Sequence, residues 1–257
     1  MHRLVVTLLG EADMSKVLAQ HGSDVRSYLG SLERSRWSRT EAARPRVFSL
    51  AGRDWDLLDH VFAPPHHAST AVALDLLGIT APSSVTLSGT LLEIGSGTGV
   101  IGVSAALRHC RTVVAADINP HAVDNTALNA ERHGVAHRVR SLLSDLFAGL
   151  DPEERFDTVV WSSNYVLAPD DFQYRTVHER AYVDPGYAAH RRYLAEARNW
   201  TTEGGRVMLH FSSRGDLDAL NALAADTGCE LRLLESASVL EGTDLIGHQL
   251  FDVVVAA

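Results

Sequence analysis

Apolar positions along this chain fall into two spacings that alternate. Short apolar runs occupy Thr90–Ile94, Thr112–Ala116, Arg138–Leu143, Phe156–Trp161, Arg206–Phe211, Glu230–Leu234 and Gln249–Ala256. Most end in a glycine or a polar residue, as strands buried in a sheet do. Between them, Val100–Arg108, Pro120 to about His133, Tyr187–Trp200 and Leu217–Thr227 carry helical periodicity. Strands alternating with helices predict a parallel sheet, built by right-handed crossovers and covered on both faces. The last two runs have no helix between them and read as a closing antiparallel pair. The prediction is therefore an α/β, doubly wound, seven-stranded and mostly parallel sheet. Ligands in such sheets bind beyond the carboxyl ends of the strands, where the winding reverses.

Upstream of this region the pattern is less regular. Residues 1–60 predict a mostly helical extension or cap, with helical patterning in Ala12–Gln20 and Val25–Arg39. A Pro-rich stretch, Val61-Phe-Ala-Pro-Pro-His-His, then leads to an apolar helix over Ser69–Leu77, so the main domain is placed at 61–257. No repeat, low-complexity tract or long linker interrupts it.

Composition narrows the function. Hydrophobic residues make up 46% of the 257, enough for a substantial core. No apolar run reaches the ~18–20 residues that span a bilayer, and the N-terminus lacks the long apolar core of a secretory signal. A cytoplasmic protein is expected, with no membrane partner. Two cysteines, Cys110 and Cys229, read as buried thiols rather than a disulfide framework. The formal charge of −9 and the thin spread of basic residues argue against a nucleic-acid partner. Lys16 is the only lysine, which removes most lysine-based chemistry. His133 and His137 lie four apart, but Gly134 between them and the lack of a third ligand argue against a metal.

The strand ends carry the candidate chemistry. Glu93-Ile-Gly95-Ser-Gly97-Thr-Gly99 closes the first regular strand and opens a helix. Glycines there let the backbone turn sharply and approach a ligand, while the exposed N–H groups of the helix start favour an anionic group. Asp117 ends the next strand 20 residues after Gly97, where a carboxylate can accept from both hydroxyls of a ribose. Asp145 ends the third, placed to accept from an exocyclic amine. Gly97-Thr-Gly99-Val-Ile-Gly102 also matches the dinucleotide fingerprint, so an NAD-dependent oxidoreductase is a competing reading. The acid at Glu93 argues against it. So does the position of the loop, about 90 residues into the chain, which leaves one half-sheet for a second nucleotide and a substrate.

As a set, LLEIGSGTGVIG (91–102), ADINPHAVDNTALNA (116–130), SDLF (144–147) and FDTVVWSSNYV (156–166) resemble the class I S-adenosylmethionine-dependent methyltransferases. Within them the chain looks most like the HemK-type glutamine methyltransferases and related small-domain enzymes. The resemblance implies a Rossmann-like fold and S-adenosylmethionine as cofactor. It implies that the loop of Gly95, Gly97 and Gly99 holds the methionine part, with Glu93 near its amino end. Asp117 would take the ribose hydroxyls, Ile118 would pack on adenine, and Asp145 with the Leu146 backbone would read the adenine edge.

One motif departs from the family. The fourth strand of such enzymes ends in Asn-Pro-Pro-Tyr, whereas this chain has Ser162-Ser163-Asn164-Tyr165 and keeps only the tyrosine. That departure and the acidic surface lead to the expectation of a small-molecule substrate, a metabolite or natural-product intermediate methylated on nitrogen or oxygen. Protein side-chain methylation is the alternative. A silent, cofactor-binding partner subunit is a third reading. Ser162 completes the cofactor set, and Asn164 and Tyr165 are expected to hold the acceptor. His66 and His67 are candidate general bases, because histidine titrates near neutrality. The insertion over 167–186 is expected to form a lid, with Ser163, Tyr174 and Glu179 as substrate contacts.

Overall fold

The computed structural model describes residues 2–5, 25–108 and 110–256. In chain order the strands and helices are β1 (His2–Val5), α1 (Tyr28–Thr40), β2 (Val47–Leu50), β3 (Arg53–Asp56), α2 (Ser69–Leu76), β4 (Gly89–Ile94), α3 (Val100–Arg108) and β5 (Cys110–Asp117). There follow α4 (Pro120–Arg132), β6 (Val139–Leu143), β7 (Phe156–Ser162), β8 (Leu167–Ala168), β9 (Asp184–Pro185), α5 (Ala188–Glu196), β10 (Thr201–Ser212), α6 (Leu217–Asp226), β11 (Cys229–Glu241) and β12 (Asp244–Val255). The predicted helix over Ala12–Gln20 lies outside the described residues.

Eight strands form the main sheet, in the order β6-β5-β4-β7-β10-β12-β11-β1. Neighbours from β6 to β10 pair in parallel, while β12 runs antiparallel to both β10 and β11. The seven predicted strands are all present. The eighth, β1, adds in parallel to the outer edge of β11. Winding goes outward from β4 through β5 to β6, then resumes from β7 on the other side of β4. The switch point lies between the carboxyl ends of β4 and β7.

Side chains on a strand alternate between faces, and the core divides accordingly. Leu91, Val113, Ala115, Val160 and Met208 join one apolar cluster with α2 and α3. Their neighbours Leu92, Val114, Val159, Trp161, Val207 and Leu209 join the other, with Tyr193 of α5 and Leu220 and Leu223 of α6. Glu93 lies two residues after Leu91, so it faces the α3 side from inside the sheet.

The β2–β3 hairpin was not legible in the sequence. Its Phe48 and Trp55 enter the same core cluster as the central strands. Two fully buried asparagines of α4 fasten the segment after it. The Asn129 side chain accepts from the Asp56 N–H and donates to the Asp56 and Thr98 carbonyls, and Asn125 accepts from the Leu58 N–H. This ties the N-terminal segment to the glycine loop. The last hairpin is longer than the apolar runs implied. Ser236, Ser238, Gly247 and His248 break the apolar pattern, yet pairing continues from Cys229↔Val255 to Glu241↔Asp244. Predicted as one helix, 187–200 is α5 followed by a 3₁₀ turn over Ala197–Trp200.

Candidate functional site

A single cavity gathers the strand ends of the switch point. Its wall includes Glu93–Thr98, Asp117–Asn119, Ser144–Leu146 and Trp161–Tyr165, from four successive parallel strands. Pairing draws these ends together. Gly95 and Ser96 N–H groups donate to the Ala116 carbonyl at 2.8 and 3.1 Å, and the Ser144 N–H donates to the Asp117 carbonyl at 2.9 Å.

Two glycines have distinct reasons to be glycine. Gly99 has φ +78°, and an added Cβ would lie 2.9 Å from Thr126, so α4 packs against it. Gly97 has φ +54° and nothing within 4 Å of an added Cβ. Packing therefore does not require Gly97; its backbone conformation and the open space above it do. That is a cradle a ligand can enter.

Asp117 locks the loop. One carboxylate oxygen accepts from the Gly97 N–H and the other from the Asn119 N–H, both at 2.8 Å. Each oxygen keeps a further lone pair for a ligand hydroxyl. Burial pushes this carboxyl upward, against the pull of those backbone N–H groups. Glu93 is 2% exposed and accepts from the Gly102 N–H at 2.9 Å. Burial raises its pKa to about 8, so it is mostly protonated at neutral pH until a cation joins it. Asp145 is half-exposed and takes Arg192 Nη1 at 2.9 Å. Leu146, at φ +53°, holds the left-handed turn that follows, and Ile118 completes that wall. Eight of the nine predicted cofactor residues thus line one cavity, including Ser162 at its opposite side, while Gly99 turns the loop behind it and packs on Thr126.

Beyond β7 the predicted acceptor residues separate. Ser162 Oγ and His210 Nδ1 share a hydrogen bond at 2.9 Å, and His210 Nε2 shares another with His248 Nδ1 at 3.0 Å. Burial lowers the pKa of both imidazoles, keeping them neutral. Ser163 is buried and donates to the His210 carbonyl. Asn164 donates from Nδ2 to the Arg180 and Val183 carbonyls, each at 2.8 Å, which leaves its buried Oδ1 without a partner. Because both partners are carbonyls, the amide can face only one way. Tyr165 is half-buried, and its carbonyl accepts from Tyr187 OH at 2.7 Å.

The two candidate bases also part company. His67 lines the cavity, with Nε2 3.1 Å from Tyr182 OH and its ring stacked on Phe62. His66 does not line it: its ring nitrogens are taken by Ser38 Oγ at 3.1 Å and Glu41 at 3.2 Å. Burial and Arg44 pull His66 down to about 4, and burial with Arg34 pulls His67 well below its usual value. Over the cavity, the 167–186 insertion forms the short β8–β9 pair and a 3₁₀ turn at Val177–Ala181. Tyr174 of this cover lines the cavity and donates to the Val183 carbonyl. Glu179 instead turns back to the Arg175 N–H and is not part of the wall.

Sequence reasoning missed a face of α1. Ser31, Arg34, Ser35 and Ser38 form a buried polar stripe at i, i+3, i+4 and i+7, of which Ser31 and Arg34 line the cavity. Ser31 donates to the Tyr182 carbonyl, and Ser35 bonds His178 at 2.8 Å, so this face clamps the cover. The spacing itself was a signal, since a polar stripe at core positions needs polar partners. Arg214 and Glu241 form a buried ion pair at 2.6 Å on the same wall.

The family profile of ribosomal protein L11 methyltransferase (PrmA) matches residues 61–168. A provisionally named protein N5-glutamine methyltransferase from Methanocaldococcus jannaschii is 30% identical over 137 residues, covering 52% of this chain and 67% of that protein. The release factor glutamine methyltransferase of Rhodopirellula baltica is 40% identical over 80 residues, covering 31% of this chain and 27% of that enzyme. The chain thus spans about a quarter of the latter and two thirds of the former. Among solved structures, the ribosomal protein L11 methylase of Lactobacillus delbrueckii subsp. bulgaricus superposes with a TM-score of 0.50 at 20% identity, covering 77% of this chain and 82% of that one. These relatives are named for protein acceptors, which overturns the expectation of a small-molecule substrate. The departure at Ser162–Tyr165 changes the strand end without saying what enters there. Among the described residues, no helix is long and apolar enough to cross a membrane. The chain belongs to the class I S-adenosylmethionine-dependent methyltransferases of the HemK-like type, and S-adenosylmethionine is its cofactor.

Proposed function

We propose that this chain methylates a nitrogen of a protein side chain, an amide of the glutamine type or an amine, on a cytoplasmic protein acceptor. The observation that carries the reading is Asn164. Its Nδ2 is fully used by two carbonyls, and its buried Oδ1 has no partner at the wall where an acceptor must arrive. A buried acceptor oxygen without a donor costs roughly 1–3 kcal/mol, and an incoming N–H group removes that cost. The relatives' names, with glutamine and ribosomal protein L11 as acceptors, support the same reading.

S-adenosylmethionine, when bound, supplies a methyl group on a sulfonium for in-line displacement. The residues present fit it: an open glycine cradle, a ribose-type carboxylate and a buried acid for an ammonium. Its hold would come from Gly95–Thr98, Asp117, Asp145 and Glu93, with Ile118 and Leu146 flanking the base. Most of the rate then comes from positioning and from excluding water. Asn164 orients the acceptor nitrogen, and Ser162 is itself oriented by His210 and His248. Tyr165, Tyr174 and Tyr182 wall the cavity, and the α1 serines hold the cover in place. His67 is neutral across the physiological range, so it acts as a hydrogen-bonding wall group and does not hold a charge.

The test is transfer of an isotope-labelled methyl group from the donor to the host's ribosomal protein L11 and release factors, located by peptide mass spectrometry. Label on one side-chain nitrogen is expected. Label appearing only on small molecules of an extract would overturn the reading.

A further inference from the structure

Arg34 stands out among the buried charges of the cavity. It is 8% exposed, projects from α1 into the wall, and its guanidinium makes no hydrogen bond or ion pair with any described residue. The opposite charge nearest to it is already engaged, because Glu241 pairs with Arg214 at 2.6 Å. Arg214 adds repulsion. Burial and that repulsion draw Arg34 down to about 10, still far above neutrality, so it remains a cation. Tyr165, Tyr182 and His67 face it from β7's end, the cover and the segment before α2, and none of them carries a charge at neutral pH. Among the described residues, Glu241 is thus the one carboxylate set against Arg34, and Arg214 already holds it.

A guanidinium taken out of water without a counter-ion is strongly unfavourable. A site that keeps one calls for an anion that arrives with a ligand. One unmatched charge suits a monoanion, and the planar fork of an arginine suits a carboxylate. The donor's predicted anchors, Asp117 and Asp145, end β5 and β6 on one side of β4. Arg34 stands with Tyr165, Arg214 and Glu241, around the ends of β7 and β10 on the other side.

We infer that Arg34 is a carboxylate-binding subsite for the acceptor, so that the methylated group enters beside an acidic side chain or a chain-terminal carboxylate. The inference rests on the proposed function only in calling the incoming group the acceptor. The donor's own carboxylate is the other source of this chemistry, and the test separates the two.

Protein with ¹⁵N-labelled arginine is saturated with S-adenosylhomocysteine and titrated with propionate, then with propionamide. Loss of one side-chain Nε–H resonance in both Arg34→Met and Arg34→Lys assigns the signal, so one well-folded variant suffices. Propionate is expected to shift that resonance and to bind at least about tenfold tighter than propionamide, the equivalent of one charge-assisted hydrogen bond. No response to propionate overturns the subsite. In parallel, calorimetry compares S-adenosylhomocysteine with its decarboxylated analogue on the wild-type protein and on the variants. An unchanged ratio of affinities is expected. If the variants weaken only the carboxylated ligand, the carboxylate is the donor's and the assignment to the acceptor falls. Failure of the protein-methylation reading shows separately, as absent label transfer alongside an intact Arg34 response.

Discussion

Replacing Glu93 by Gln removes the titrating group at the start of the glycine loop while keeping its volume and its acceptor for the Gly102 N–H. In the folded protein this carboxyl titrates at about 8, against 4.5 for the exposed group, because it is buried in β4 with one hydrogen bond. The folded state therefore holds a proton that the unfolded state has lost between pH 4.5 and 8. A raised carboxyl pKa gives stability that is full below the unfolded value and lost as pH rises through the folded one. At 1.36 kcal/mol per pKa unit, the wild-type protein should lose about 4 kcal/mol relative to Glu93→Gln between pH 5 and pH 8.5. Urea unfolding of both proteins at those two pH values measures the difference directly.

The same group should report ligand binding. A donor ammonium beside Glu93 favours the carboxylate, so binding of S-adenosylhomocysteine at pH 7 should release close to one proton. Calorimetry in buffers of different ionisation enthalpy reads that release, and Glu93→Gln should abolish it. Unfolding free energies that stay parallel to within about 1 kcal/mol from pH 5 to 8.5 would mean that Glu93 ionises ordinarily, refuting the argument.

Other residues separate fold from site in the same way. Gly97→Ala should cost about 1–2 kcal/mol of stability from its left-handed backbone alone, yet weaken S-adenosylhomocysteine at least tenfold by calorimetry, since its Cβ enters the open cradle. Gly99→Ala should instead be unstable, by roughly 2–4 kcal/mol from strain plus the contact with Thr126, seen as a lowered Tm. Asn164→Ala should leave S-adenosylhomocysteine affinity within about twofold and reduce methyl transfer roughly a hundredfold, as misplacement of the acceptor does. A matching loss of both would place Asn164 in the donor site.

The parts of this molecule that its sequence discloses are those governed by local pattern. The central strands β4 and β7 are largely apolar runs because both of their faces are buried, whereas the edge strand β6 is partly exposed. Gly97 and Asp117 mark strand ends because a left-handed cradle favours glycine and the Gly97 and Asn119 N–H groups need a carboxylate. The remainder depends on contacts distant in sequence. Trp55 belongs to the core only because Asn125 and Asn129 of α4 hold the chain beside it. His66 and His67 are adjacent, yet one faces Ser38 and Glu41 while the other faces the cavity, a difference of backbone direction that composition does not carry. His210 and His248 meet across β10 and β12, 38 residues apart. The acceptor's nature is not legible in Ser162–Tyr165, because a strand end shows which groups are offered and not the size of the molecule that brings their partner.

Titration calorimetry of S-adenosylhomocysteine against NADH tests the central claim most directly, since the glycine loop by itself also matches a dinucleotide site. The account predicts saturable binding of S-adenosylhomocysteine, weakened by about 1–3 kcal/mol in Asp117→Ala, and no heat from NADH. Tight NADH binding without any response to S-adenosylhomocysteine would contradict it.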